Sequence, residues 1–187
     1  MAFFRQSVDF FEYCLHSGCM SNALQPKPRV FGQRVRICVI ASKYNEKFTD
    51  PLVENTIEEL DEIVPMARID LIRVTGAFEI PVTVANLLQR EMFNCVIALG
   101  VIIRGETQHA DLVASSVTES LQSLAVEHRI PIIHEVLLVN NEKQAQSRCM
   151  GDTKNRGREA ARAAANIIDV FAEIEKSMPL DAKRKAK

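Results

Sequence analysis

The sequence predicts a parallel, three-layer α/β/α sandwich, with a four-stranded sheet covered by helices on both faces. Three observations carry this. Four apolar runs of strand length alternate with segments whose apolar residues recur at helical spacing, the pattern of βαβ units. The third run, Cys95 to Ile103, is apolar without a break, as expected of a strand buried on both faces. Each strand end passes into a short loop and then a helical pattern, so consecutive strands lie parallel and their loops open on one edge.

The first strand is Val35 to Ala41, followed by the loop Ser42-Lys43-Tyr44-Asn45. Asp50 before Pro51 reads as an N-cap and first helical residue. Val53, Ile57, Leu60 and Val64 line one face of that helix, and Pro65 ends it. Ile69 to Val74 is the second strand, after which Gly76-Ala77-Phe78-Glu79-Ile80-Pro81 turns into a helix that Pro81 can initiate. The third strand runs into Arg104-Gly105-Glu106-Thr107-Gln108-His109, and Val113, Val117, Leu121 and Leu124 form one face of the next helix. Pro131 to Val139 is the fourth strand, and Asn141 to Arg148 is helical until Gly151-Asp152-Thr153 breaks it. The closing helix runs from Asn155 to about Lys176, Ala-rich from Ala160 to Ala165, with Ile167, Phe171 and Ile174 as its buried edge.

At 187 residues the chain suits one domain with tails. Residues 1 to 30 read as an extension, either a docking arm or untranslated sequence ahead of a start at Met20. Residues 31 to 176 form the α/β domain, and 177 to 187 a basic, solvated tail. A net charge of −1 gives no case for nucleic acid. No apolar stretch approaches the ~20 residues that span a bilayer, and Asp9 and Glu12 spoil a signal peptide. Five cysteines without a CxxC or Cys/His spacing predict reduced thiols, a cytoplasmic protein and no metal site. Walker, GxGxxG and GxSxG motifs do not occur in the sequence, which disfavours P-loop NTPases, Rossmann dehydrogenases and serine hydrolases.

Every loop at the carboxyl edge carries usable chemistry. His109 suits proton transfer near neutral pH, though it also fits a solvated loop position; Asp111 can be an ordinary N-cap. Tyr44 and Phe78 can stack on a flat heterocycle while Asn45, Glu79 and backbone groups read its polar edge. Phe78 also suits a core, and Glu79 a helix first turn. Arg148 offers a phosphate fork, or simply a cation at a helix C-terminus.

Tyr44-Asn45, Gly76 to Pro81, Leu99 to His109 and Gln144-Ala145 with Arg148, in this order and spacing, resemble the lumazine synthase family over Val35 to Ile174. The resemblance implies a flavodoxin-like sandwich and a homopentamer, with stacked decamers and shells of sixty subunits as further assemblies, and active sites between neighbouring subunits. It implies that Tyr44, Ala77, Phe78, Glu79, Val101, Ile102 and Ile103 hold 5-amino-6-(D-ribitylamino)uracil, Tyr44 stacking on the ring and Glu79 taking the ribityl hydroxyls. Glu106 and Thr107 would hold 3,4-dihydroxy-2-butanone 4-phosphate, with a neighbour's Arg148 on its phosphate and His109 transferring protons. The implied partners are these small molecules, and no cofactor is required. His134 and Glu135 stand where the family pattern has Phe and Gly, which predicts an altered wall over the second substrate. Met150-Gly151-Asp152-Thr153-Lys154-Asn155 keeps the length of the shell-forming members with different residues. Two further readings stay open: a scaffold that kept the fold without activity, and a module that binds a lumazine or flavin without turnover.

Overall fold

The computed structural model describes residues 35–90, 92–152 and 154–179. The expectations for residues 1 to 30, including Cys14 and Cys19, and for most of the basic tail lie outside the described residues. Four strands, β1 (Arg36–Ser42), β2 (Arg68–Val74), β3 (Cys95–Ile103) and β4 (Ile132–Val139), pair in parallel in the order β2-β1-β3-β4. Among the described residues, five helices connect and cover them: α1 (Glu46–Ile63), α2 (Ile80–Leu88), α3 (His109–His128), α4 (Glu142–Cys149) and α5 (Arg156–Ser177). A 3₁₀ turn, Ala77–Glu79, leads into α2.

Because side chains alternate along a strand, the sheet feeds two separate cores. Ile37, Val39, Ile97 and Leu99 face α1, α4 and α5, whereas Cys38, Ile40, Val96 and Ala98 face α2 and α3. Both sets are fully buried, which explains the unbroken apolar reading of β1 and β3. The chain steps from β1 to β2 on one side and then crosses back to β3 on the other. The crevice between the ends of β1 and β3 is thus the topological switch point, where open parallel sheets bind ligands.

Three local expectations are corrected. The first helix begins at Glu46, five residues before Pro51. Asn45 takes a left-handed conformation (φ 57°, ψ 40°), and its carbonyl accepts the N–H groups of Phe48 and Thr49 at 2.8 and 3.0 Å. Asp50 does not cap this helix; its carboxylate accepts from Arg73 at 2.5 Å. Pro51, one turn in, removes only the bond to the carbonyl four residues back. Nor does Asp111 cap α3, which starts at His109 behind Gln108 and holds Asp111 in its first turn.

The third correction concerns α5. Phe171 and Ile174 are 44% and 46% exposed and Ile167 is half-buried, while the buried face is Gly157, Ala160, Ala161, Ala164, Ala165 and Ile168. Small residues are needed because α1 and α5 approach closely. A Cβ at Gly157 would stand 2.5 Å from the Leu52 carbonyl oxygen and 3.0 Å from Thr56 Oγ1. A backbone oxygen cannot swing aside, so Gly157→Ala should destabilise the fold by about 1–3 kcal/mol through overpacking. Urea denaturation measures this; an unchanged midpoint would mean that α5 can shift freely along α1.

Candidate active site

One strand-end loop is pinned to the sheet and the next is closed on itself. Asn45 Nδ2 donates to the Val101 carbonyl at 2.7 Å, tying the turn after β1 to the end of β3. The Gly76 N–H donates to Glu79 Oε2 at 2.6 Å, closing the turn after β2. Gly76 is required there for space: a Cβ would meet Glu79 Oε2 at 2.9 Å and the Tyr44 ring at 3.1 Å. The ring of Tyr44 therefore lies against the Gly76 backbone, and the loops after β1 and β2 share one wall.

These loops and the start of α3 enclose a cleft of about 480 Å³, lined by Tyr44, Asn45, Ala77, Phe78, Glu79, Val101, Ile102, Ile103 and His109, with Gly76, Ala110 and Val113. Tyr44 and Phe78 are 67% and 61% exposed, so neither is a core aromatic. Two exposed rings beside an apolar floor are the composition of a small-molecule site. Glu79 spends one lone pair of Oε2 on Gly76 and keeps acceptor capacity for a ligand. Sequence reasoning missed Gly76, Ala110 and Val113 as lining residues. The last two were accessible in principle, since they lie one and four positions beyond His109 on a helix.

The remaining predicted residues lie outside this lining. Glu106 and Thr107 are exposed in the loop above the cleft, where Thr107 Oγ1 accepts the His109 N–H at 3.4 Å. Arg148 is exposed in the last turn of α4. His134 lies on the α3 side of β4. Its Nδ1 accepts the Val136 N–H at 3.0 Å, and its Nε2 stands 2.7 Å from Thr118 Oγ1, which itself donates to the Ala114 carbonyl at 2.8 Å. That relay requires a neutral ring with its proton on Nε2, and burial likewise lowers the His134 pKa. Glu135, on the opposite face, is pushed up to about 7 by burial; Arg156 and Arg148 pull it down and Glu159 pushes it up. Cys95 and Cys149 are free, buried and pushed up to about 12, chiefly by desolvation, so neither is a nucleophile near neutral pH. Among the described residues, no group of three or more His, Cys, Asp or Glu side chains could hold a metal ion. No helix there is long and apolar enough to cross a membrane.

The sequence profile described as 6,7-dimethyl-8-ribityllumazine synthase matches residues 34–172, which include every element that builds the cleft. The chain belongs to the 6,7-dimethyl-8-ribityllumazine synthase family. Relatives carrying that name include a Gemmatimonas aurantiaca protein, 36% identical over 141 residues, covering 75% of this chain and 86% of the relative. A Methylibium petroleiphilum protein is 34% identical over 144 residues, covering 76% and 88%. One from Pediococcus pentosaceus is 32% identical over 146 residues, covering 78% and 94%. As a member of that family the chain is an enzyme, and the strand order at the floor of the cleft is that of the flavodoxin-like sandwich.

Proposed function

We propose that the chain condenses 5-amino-6-(D-ribitylamino)uracil with 3,4-dihydroxy-2-butanone 4-phosphate, giving 6,7-dimethyl-8-ribityllumazine with loss of phosphate and water. The observation that carries this is the juxtaposition of two exposed aromatic rings, a carboxylate and an imidazole around one apolar cleft at the switch point. The pyrimidine stacks on Tyr44, over the floor made by Val101, Ile102 and Ile103. Glu79 accepts from ribityl hydroxyls, while Asn45, Ala77 and Phe78 shape the wall. Glu106 and Thr107 hold the butanone phosphate at the mouth.

The chemistry asks for proton transfers and positioning. The aromatic amine adds to the ketone and a first water leaves to give an imine, phosphate is then eliminated, and the second amine closes the ring as a second water departs. One imidazole, His109, can take and return the protons in turn. Holding the two substrates side by side supplies much of the remaining acceleration.

Arg148 acts on a neighbouring subunit's site in a homopentamer, and His134 contributes to the wall over the second substrate. Exposed Val82, Leu112 and Val126 fit burial between subunits, and Arg148 faces outward from its own chain. The free, buried thiols of Cys95 and Cys149 fit a reducing, cytoplasmic setting.

Product formation from the two substrates tests the reading. Large assemblies without turnover would favour a scaffold, and tight retention of a lumazine without product would favour a carrier. Arg148→Ala should raise KM for the phosphorylated substrate about tenfold or more with little change in kcat, because it removes binding present before the reaction. An unchanged KM would remove Arg148 from the phosphate site.

A further inference from the structure

The loop between β3 and α3 has little to hold it. Residues 104 to 109 are exposed, and a Cβ at Gly105 would meet nothing within 4 Å. Gln108, at the N-cap of α3, makes no side-chain capping bond. Helix ends without caps fray, and His109 is the first residue of this one.

One side chain opposes this. Arg104 Nε and Nη2 donate to Asp111 Oδ1 at 3.1 and 2.6 Å, and Nη1 donates to Asn140 Oδ1 at 2.5 Å. Its own N–H donates to the Val139 carbonyl at 2.9 Å. The Asn140 anchor is itself fixed: its N–H donates to Gln144 Oε1 at 2.8 Å, and Asn141 caps α4 by accepting the Gln144 N–H. A planar fork with three of its nitrogens engaged sets direction as well as distance, which a lysine cannot do.

We propose that Arg104 is a positioning residue for the reaction: by bridging Asp111 in the first turn of α3 to Asn140 at the end of β4, it holds His109 in register with the cleft. Arg104 does not touch substrate; it acts through His109, and the inference therefore rests on the reading of His109 as the proton relay. A displacement of about 1 Å at a catalytic group can cost on the order of 100-fold in rate, so an exposed clamp can matter to turnover while adding little to stability.

A double-mutant cycle tests it. In the full-length protein, Arg104→Gln should lower kcat about tenfold or more, leave KM for both substrates within about twofold, and leave the urea midpoint unchanged. In a His109→Ala background, measured over hours and corrected for the enzyme-free reaction, Arg104→Gln should cause no further loss. The His109 C2 proton resonance should shift in Arg104→Gln, and Arg104→Lys should restore only part of kcat. If Arg104→Gln does not fold, Asp111→Asn runs through the same cycle, since it removes the charge and keeps the shape. An equal fold-loss in both backgrounds, or wild-type kcat in Arg104→Gln, would overturn the clamp while leaving the proton relay standing. Wild-type kcat in His109→Ala would overturn both.

Discussion

Replacing His109 with alanine should lower kcat for lumazine formation about 100-fold or more and leave both KM values within about threefold. General acid–base catalysis by one positioned side chain typically contributes on that scale. His109 is the imidazole in the cleft lining, and the thiols of Cys95 and Cys149 are held protonated far above neutral pH, so neither can take over the proton transfers. The binding surfaces, Tyr44, Phe78 and the floor of β3, are untouched by the substitution, which is why the loss belongs in kcat. His109 is exposed and its ring makes no bond that holds α3 together, so the folded state should persist. Steady-state absorbance of the product measures the effect. A kcat within about threefold of wild type would assign proton transfer to water or to another group.

The central strands β1 and β3 were legible because burial on both faces leaves a signal that needs no long-range information. The expected third strand, Cys95 to Ile103, has the bounds that the structure gives it. Helix starts were less legible where a cap competes with a partner elsewhere. Asp50 and Asp111 have the residue type of N-caps, yet each carboxylate is drawn to an arginine, Arg73 or Arg104. Sequence spacing alone does not reveal that competition. The buried edge of α5 differs from expectation for a related reason. Large apolar residues suggest a core, but two helices touching at Gly157 select alanine and push the larger side chains toward the rim.

Of the candidate site, the part dictated by topology was visible in the sequence. Loops after parallel strands share an edge, so Tyr44, Phe78, Glu79 and His109 could be expected together, and they line one cleft. Arg104 could not be found this way, because one of its partners is on another strand's loop and the other looked like a cap. Arg148 shows a different limit. A residue type and a spacing identify a phosphate fork, but the fold of a single chain leaves it outside the cleft lining.

The largest stability effect should come from the ion pair between α1 and α5. Glu59 and Arg162 have side chains only 5% and 9% exposed, and Arg162 Nε donates to Glu59 Oε1 at 2.7 Å. Arg162→Met removes the guanidinium and leaves the buried Glu59 carboxylate without it. Breaking a buried pair in this way costs about 3–5 kcal/mol, most of it the penalty of an uncompensated charge. The double variant Glu59→Leu with Arg162→Met should recover most of the loss, because a buried pair exchanged for apolar side chains of similar volume is often neutral or better. Urea denaturation of the three proteins measures both effects, and equal destabilisation by the single and double variants would show that the arginine acts through packing. Glu59 lies about 21 Å along α1 from Asn45, at 1.5 Å per residue, while the Asn45 end is pinned separately to Val101. Turnover per folded molecule should therefore stay within about twofold of wild type in the single variant. A matching fall in kcat would mean that the cleft depends on the seating of the whole helix and not only on the hydrogen bond at its start.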